Sequence, residues 1–262
     1  MSASSVSPPS AAVLVAESLR VREGAACGLD LHRDRFLSSA ELHLGRTTAE
    51  RGWLDGLSEV PREGDWFPRW EVRADDPRVH LLLRPTPATA TEVVVATAPH
   101  DPRTAPLTKG PDLAALQRLR DAVAPLGAGE AIIVDAHGTL IEGAYSALLV
   151  LDPARQGAVG APLVVERVPS AVPRIPSVTE RLVVAAVESS GGSVVDRARR
   201  GADLEGCELW VLSALHGVRL ATAWVPGSDA TVPQLAAGSV AQARVAHVRA
   251  LLDATARPLP FT

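Results

Sequence analysis

The sequence predicts a mixed α/β (α+β) fold, with a small N-terminal α/β domain over residues 1–106 and a larger, strand-rich C-terminal domain over residues 107–262. Apolar positions at helical spacing alternate with short β-branched runs in the first half. Strand-like runs outnumber helical ones in the second half, and a proline-rich stretch over residues 99–111 separates the two halves. A chain of 262 residues can form one large domain or two modest ones, and the proline-rich stretch favours two.

The first half is predicted to contain strands and helices in turn. Asp30 is a candidate N-cap for the first helix, which Gly45 would end. Thr47 and Glu50 have capping-box spacing and predict the start of a second helix. The predicted elements are a strand over 13–21, helices over about 31–44 and 47–57, and strands over 79–84 and 91–98.

The second half is predicted to be mainly β-structure with three helices. Ser177 and Glu180 have the spacing of a capping box, which predicts a helix that ends at the glycines 191–192. The other predicted helices cover about 112–123 and 240–254, and the predicted strands cover 131–134, 139–141, 147–151, 163–168, 209–213 and 219–225.

Composition excludes several classes of protein. The net charge is −4 and no dense basic patch occurs, so a nucleic-acid partner is not expected. Cys27 and Cys207 lie far apart and have no metal-ligand or redox spacing, which predicts no metal site, no disulfide framework and a reducing, cytoplasmic location. The early apolar run over residues 11–16 is too short for a membrane span, and no signal peptide is expected.

Lys109 is the single lysine among 26 basic residues. The abundance of Ala and Arg suggests a coding bias that replaces Lys by Arg wherever a simple positive charge suffices. An arginine stays protonated, whereas a lysine amine can be neutralised and can act as a nucleophile. The surviving lysine is therefore a candidate for covalent chemistry.

Four segments with candidate functional side chains stand in a fixed order: Leu-His-Arg-Asp-Arg-Phe over 31–36, Leu-Thr-Lys-Gly-Pro-Asp over 107–112, Asp-Ala-His-Gly-Thr-Leu-Ile-Glu-Gly over 135–143, and Ile-Pro-Ser-Val-Thr-Glu over 175–180. A late turn, Ser-Ala-Leu-His-Gly over 213–217, follows them. This ordered set resembles the class IV (fold type IV) pyridoxal-phosphate family, which includes branched-chain and D-amino-acid aminotransferases and aminodeoxychorismate lyases. The resemblance spans about residues 13–225 and implies a C-terminal pseudo-barrel domain.

The resemblance implies a role for each matched residue. Lys109 would bond the aldehyde of pyridoxal 5'-phosphate and then move the proton between substrate and cofactor. Glu142 would face the ring nitrogen, where a carboxylate favours the protonated ring. The phosphate would be held by Arg35, by the first turn of the helix after Ser177, and by the late turn. The implied cofactor-binding residues are Arg35, Glu142, Val178, Thr179, Ser213 and Ala214.

Two further residues are candidate contacts of a small amino substrate. Ser18 lies where the lyases place a hydroxyl near the substrate, and Arg84 could meet a substrate carboxylate from the first domain. His32 is expected to pack in the interior and His216 to serve the turn, while strand alternation assigns Tyr145 to packing on the face opposite Glu142.

Departures from the family pattern leave the reaction open. Ala147 stands where the family has Asn, and the stretch over 110–114 lacks the tyrosine of the branched-chain aminotransferases. The late turn is closest to the Asn-Ala-Leu form of the lyases, with Ser213 in place of Asn. An aminodeoxychorismate lyase is the first hypothesis, an aminotransferase the second, and a non-catalytic binding module with this fold the third. The resemblance also implies a homodimer.

Overall fold

The computed structural model describes residues 12–157, 161–226 and 232–260, which form five α-helices and three β-sheets. In the first half, the helices are α1 (Leu29–Leu44) and α2 (Arg46–Ser58). The strands there are β1 (Val13–Ser18), β2 (Val21–Arg22), β3 (Ala25–Ala26), β4 (Asp65–Trp66), β5 (Arg69–Arg73), β6 (Val79–Leu82) and β7 (Glu92–Thr97).

The second half begins with α3 (Leu113–Val123) and also contains α4 (Val178–Ser189) and α5 (Ser239–Asp253). Its strands are β8 (Glu130–Val134), β9 (Leu140–Gly143), β10 (Ala147–Leu151), β11 (Val164–Arg167), β12 (Ser193–Asp196), β13 (Glu208–Ser213), β14 (Gly217–Val225) and β15 (Arg257–Pro258).

The largest sheet has eight strands in the order β12-β11-β10-β13-β14-β7-β8-β9. Strand β10 lies five strand spacings from β9, about 24 Å along a flat sheet. The three residues 144–146 join these two strands, and a connection this short spans only about 14 Å. The sheet must therefore curl back on itself, as the family resemblance implies.

The N-terminal half builds its own core around aromatic side chains. Helices α1 and α2 pack on the three-stranded sheet β1-β5-β6. Trp53 stacks on Trp70 with ring centroids 4.4 Å apart, and Phe36 lies 5.5 Å from Trp53. All three are buried, so they hold β1 and α1, the two elements that carry Ser18 and Arg35, in fixed positions.

Strand β7 lies inside the eight-stranded sheet, parallel to both β14 and β8, although it precedes the proline-rich stretch. The short C-terminal strand β15 pairs in turn with β3 of the first half. Chain segments from both halves therefore cross over, and the division between residues 106 and 107 remains a prediction. None of the helices in the described ranges has the length and hydropathy needed to cross a membrane.

Several predicted element boundaries are confirmed and others are wrong. Helix α1 ends before Gly45 as expected, but Asp30 is not its N-cap, because the helix begins at Leu29 after Gly28 in a left-handed conformation. Thr47 lies inside α2, which begins directly after Gly45, a residue with φ of 73°. A glycine with positive φ reverses the chain here and replaces the side-chain cap.

Candidate functional site

One cavity of about 540 Å³ is lined by residues of both halves of the chain. All nine residues singled out by the sequence analysis contribute to its wall, although they are spread over almost 200 positions. They are Ser18, Arg35, Arg84, Lys109, Glu142, Val178, Thr179, Ser213 and Ala214.

Lys109 enters the cavity from a loop that is fixed against β1. The Lys109 carbonyl accepts a hydrogen bond of 2.7 Å from the Ala16 amide. Gly110 has φ of 150°, and a Cβ at this position would approach the Val15 Cα to 2.8 Å, so glycine permits the close packing. The lysine backbone is thereby tied to the strand that carries Glu17, and its Nζ lies 3.5 Å from Glu17 Oε1.

Glu17 is the central carboxylate of the site, and sequence reasoning missed it as a functional residue. Its side chain is fully buried and accepts hydrogen bonds from the Ser18 amide at 2.9 Å and from Arg35. His32 Nδ1 also lies 3.0 Å from Glu17 Oε1, so His32 takes part in this network and is more than a packing residue. The available signal was a glutamate in the middle of the predicted apolar strand over 13–21. A charged side chain is buried in a protein only when oppositely charged or hydrogen-bonding groups pair with it.

Arg35 connects α1 to the start of α4. Its Nε and Nη2 donate to the two Glu17 oxygens at 2.7 and 2.6 Å. Its Nη1 donates to the Pro176 carbonyl at 2.8 Å, just before the first turn of α4. Each of the two terminal nitrogens retains one N–H beyond these bonds, so Arg35 can still donate to an anion at this helix end.

Burial and neighbouring charges set the protonation states in this network. Burial lowers the pKa of Lys109 to about 8, although the Glu17 carboxylate opposes the shift. Burial alone would raise the pKa of Glu17, but Arg35, Lys109 and His32 together hold it well below its usual value. An amine with this pKa is substantially neutral near pH 8 and can act as a nucleophile.

The start of α4 matches the predicted anion site. Ser177 Oγ accepts the Glu180 amide at 3.2 Å, which confirms it as the N-cap. The Glu180 carboxylate pairs with Arg174 instead of returning to Ser177, so the capping box is only half formed. The amides of Val178 and Thr179 lie in the first turn, where no intrahelical acceptor exists, and both residues line the cavity.

Glu142, the penultimate residue of β9, forms a buried ion pair with Arg103. Arg103 Nη1 donates to Glu142 Oε1 at 2.6 Å, and both side chains are less than 10% exposed. Burial raises the pKa of Glu142 to about 7, against the lowering effect of the Arg103 charge. Arg103 also binds both oxygens of Asp101, which anchors it to the loop before Lys109. The carboxylate is therefore fixed in place on the cavity wall.

The late turn connects β13 to β14. Ser213 Oγ accepts the His216 amide at 3.2 Å, and Gly217 closes the turn with φ of 67°. Ser213, Ala214 and His216 all line the cavity, so His216 contributes to the site as well as to the turn. This turn and the first turn of α4 border the same space.

The two predicted substrate residues come from the first half. Ser18 is buried at the end of β1, beside Glu17. Arg84 follows β6 by two residues, donates from Nε to the Phe67 carbonyl at 2.9 Å and lies 4.9 Å above the Phe67 ring. Tyr145 was assigned to the face opposite Glu142, but this is wrong: it lies in the turn after β9 and lines the cavity together with Glu142.

The residues present fit pyridoxal phosphate. The cavity offers an amine that can be neutralised, free amides and an arginine for a phosphate, and a buried carboxylate for a ring nitrogen. Within the described ranges, no group of three or more His, Cys, Asp or Glu side chains is arranged to hold a metal ion.

Comparison with known proteins identifies the family of this chain. The family model for amino-transferase class IV matches residues 14–224. No curated protein sequence matches the chain. Solved structures that share the fold include a hypothetical aminotransferase from Mycobacterium tuberculosis in its PLP-bound form, with 19% identity, a TM-score of 0.69 and coverage of 93% of this chain and 89% of that one.

Two other solved structures represent the two reactions considered above. A branched-chain aminotransferase from Thermoproteus uzoniensis with norvaline has 15% identity and a TM-score of 0.74, covering 94% of this chain and 90% of that one. A protein described as a putative 4-amino-4-deoxychorismate lyase has 17% identity and a TM-score of 0.69, and the match covers 96% of this chain and 91% of that one. Since the family model covers well over half of the sequence, the chain belongs to the class IV aminotransferase family of pyridoxal-phosphate-dependent enzymes.

Proposed function

We propose that this enzyme is an aminodeoxychorismate lyase that cleaves 4-amino-4-deoxychorismate to 4-aminobenzoate and pyruvate, with Lys109 as its catalytic residue. One observation carries the catalytic part of the proposal. The single lysine of the chain places its amine in the cavity, 3.5 Å from Glu17, with its pKa lowered to about 8. A surface lysine would have neither property.

The position of each residue on the cavity wall supports its proposed role. When bound, pyridoxal phosphate supplies an aldehyde and an electron-withdrawing ring. Lys109 would bond the aldehyde, and its amine would then be the group that takes and returns a proton. Glu142 would keep the ring nitrogen protonated, and Arg103 holds the Glu142 side chain in position. Arg35, the amides of Val178 and Thr179, and the turn at Ser213 and Ala214 would hold the phosphate.

The choice of a lyase rests on the late turn, on the stretch after Lys109 and on two candidate substrate residues. The Ser213-Ala214-Leu215 turn resembles the lyase form, and the stretch over 110–114 lacks the tyrosine of branched-chain aminotransferases. We assign Ser18 to a hydrogen bond with the substrate and Arg84 to a substrate carboxylate. Arg84 suits this role because it contacts the Phe67 carbonyl and ring, and no carboxylate within the described residues forms a direct ion pair with it.

An aminotransferase is the second candidate, because a structure with that activity assigned to it shares the fold over 94% of this chain. Both reactions use Lys109 and differ in what leaves the cofactor afterwards. An assay for 4-aminobenzoate, run beside a screen of amino donors against 2-oxo acids, separates them. Formation of 4-aminobenzoate with no amino transfer supports the lyase, and the reverse result replaces it by the aminotransferase.

The role of Lys109 is tested by absorbance spectroscopy. Wild-type protein mixed with pyridoxal phosphate is expected to show the visible band of a lysine-bound cofactor. Lys109→Ala and Lys109→Arg should both lose this band, since neither side chain can form the bond. Circular dichroism of both variants controls for folding. A wild-type protein without the band would contradict the proposal and favour a non-catalytic module.

A homodimer in the cytoplasm completes the proposal. The family resemblance supports the dimer, and the two distant cysteines support a reducing compartment. Light scattering of the cofactor-loaded protein tests the dimer, and a monomer at micromolar concentration would contradict it.

A further inference from the structure

A second group of polar and charged side chains lines the cavity and makes no direct contact with Lys109, Arg35 or Glu142. It consists of Arg120 on α3, Glu130 on β8, His216 in the β13–β14 turn and Arg219 on β14. None of these residues has a role in the reaction described above. Their hydrogen bonds show which donors are already used and which remain for a ligand.

Arg219 is a buried guanidinium with unused donors. The residue is 5% exposed, and its recorded hydrogen bond is a single contact of 3.2 Å from Nη2 to Glu130 Oε2. Its Nε is buried and has no hydrogen-bond partner within the described residues. A guanidinium forms its strongest contacts through two parallel bonds to one carboxylate, and a buried donor without an acceptor costs free energy.

Glu130 does not complete the coordination of Arg219, because other donors occupy it. Its Oε2 accepts from Ser146 Oγ at 2.9 Å, and its Oε1 accepts from the amides of Ala131 and Tyr145 at 3.2 and 3.3 Å. The carboxylate therefore neutralises Arg219 but leaves most of its donors available. An acceptor that enters the cavity can use them.

Arg120 adds a positive charge that no acid neutralises within the described part of the chain. Its Nε and Nη2 donate to the Gly129 carbonyl at 3.3 and 3.2 Å, and its guanidinium lies 5.1 Å above the Tyr145 ring. With Arg120, Arg219 and Glu130 together, this part of the wall has a net charge of +1. Such a wall favours an anion and disfavours an aliphatic side chain.

His216 supplies a neutral donor beside the two arginines. Burial, together with the charges of Arg219 and Arg120, lowers its pKa to about 4. Its Nδ1 accepts the Ala90 amide at 3.2 Å, so the proton of the neutral ring is on Nε2. Each of the three side chains on this part of the wall therefore has a donor available for an anionic group.

From these contacts we infer that Arg120, His216 and Arg219 form a subsite for a carboxylate of the substrate, in addition to the carboxylate assigned to Arg84. The inference rests on the proposed function and specifies its substrate class, an amino compound with two acidic groups. A branched-chain aliphatic amino acid would offer the free Arg219 donors no acceptor from its side chain. The 4-amino-4-deoxychorismate of the proposed reaction carries two carboxylates and meets the requirement.

The test measures binding of diacids to the cofactor-loaded protein by calorimetry. The probes are three matched pairs, succinate and succinamate, glutarate and glutaramate, and adipate and adipamate, in which an amide replaces one carboxylate. At least one diacid should bind about 10-fold more tightly than its amide, the worth of one charge-assisted hydrogen bond. A wild-type protein without this preference in any pair would overturn the subsite.

Variants assign the preference to these residues. Arg120→Gln should reduce it at least about 3-fold, while Arg118→Gln, on the solvent-exposed face of the same helix, should leave it unchanged. The double variant Arg219→Gln, Glu130→Gln removes both charges of the pair and should abolish the preference. If Arg120→Gln and the folded double variant both keep the full preference, the carboxylate binds elsewhere and the inference is wrong.

The same samples separate this inference from the proposed function. The visible band of the lysine-bound cofactor is recorded before each titration. A wild-type protein that lacks the band contradicts the proposed function and the subsite together. An intact band combined with equal affinities for acid and amide contradicts the subsite alone.

Discussion

Lys109 experiences two opposing effects on its charge. Burial favours the neutral amine, whereas Glu17 at 3.5 Å favours the ammonium ion, and the pKa is lowered to about 8. Because the chain has no other lysine, an amine-directed reagent reports on this residue and the chain terminus alone. We predict that acetylation of Lys109 in the cofactor-free protein follows a titration with a midpoint near pH 8, as measured by peptide mass spectrometry.

The Glu17→Gln variant provides the control for this titration. Removing the carboxylate removes the charge that stabilises the ammonium ion, so the midpoint should move to lower pH. Glu166→Gln, a change at another buried glutamate that pairs with Arg197 and Arg199, should not move it. A wild-type midpoint near that of an exposed lysine, at about pH 10.4, would show that the amine is solvated.

At the scale of residues, the sequence predicted which side chains line the cavity but not the hydrogen bonds and ion pairs that join them. All nine predicted residues line one cavity because the family motif orders them along the chain. Glu17 was missed because its role depends on three partners from α1 and from the Lys109 loop, which strand periodicity cannot reveal. Tyr145 was misplaced because alternation holds within a strand, and this residue lies in the turn beyond β9.

At the scale of elements, α4 offers a direct test of phosphate binding. Val178 is the first helical residue, where proline is tolerated, and Ser177 has φ of −71° and ψ of 123°, which suit a residue before proline. Val178→Pro therefore removes one amide and preserves the helix. We predict that it weakens pyridoxal phosphate binding about 10- to 100-fold, the value of one hydrogen bond to a charged group.

Three controls isolate the lost amide. Val178→Ala removes the same buried side chain and keeps the amide, and Ser239→Pro makes the equivalent change at the start of α5. Pyridoxal, which lacks the phosphate, should bind Val178→Pro and Val178→Ala equally. If pyridoxal affinity falls as much as pyridoxal phosphate affinity, the first turn of α4 does not hold the phosphate.

Elements with a clear apolar pattern were predictable, whereas a strand rich in charged residues and the caps of helices that begin after glycine were not. Strand β10 and helices α3 and α5 lie within a residue or two of their predicted bounds. Strand β5 was missed because its five residues Arg-Trp-Glu-Val-Arg contain three charges, and its burial comes from pairing between β1 and β6. The predicted N-caps at Asp30 and Thr47 were wrong because both helices begin earlier in the chain, directly after Gly28 and Gly45, whose positive φ angles reverse the chain.

At the scale of the whole molecule, the cavity joins segments that are distant in the sequence. Glu17 and Arg35 lie in the first half, Glu142 and α4 in the second, and the Lys109 loop packs on β1. Sequence periodicity predicts each segment but not the curl of the eight-stranded sheet, which follows from the short link between β9 and β10. A ligand that binds all of these segments stabilises the complete fold over the unfolded chain.

We therefore predict that pyridoxal phosphate raises the melting temperature of this protein. At 100 times the dissociation constant, a ligand adds about 2.7 kcal/mol to the free energy of unfolding, which corresponds to a rise of about 5–10 °C for a chain of this size. Differential scanning calorimetry measures it, with inorganic phosphate as the control for anion binding alone. At the same cofactor concentration Lys109→Ala should show a smaller rise, because it loses the covalent link. An equal rise in wild type and Lys109→Ala would show that the cofactor is held without this lysine, while no rise in either would show that the cavity does not bind it.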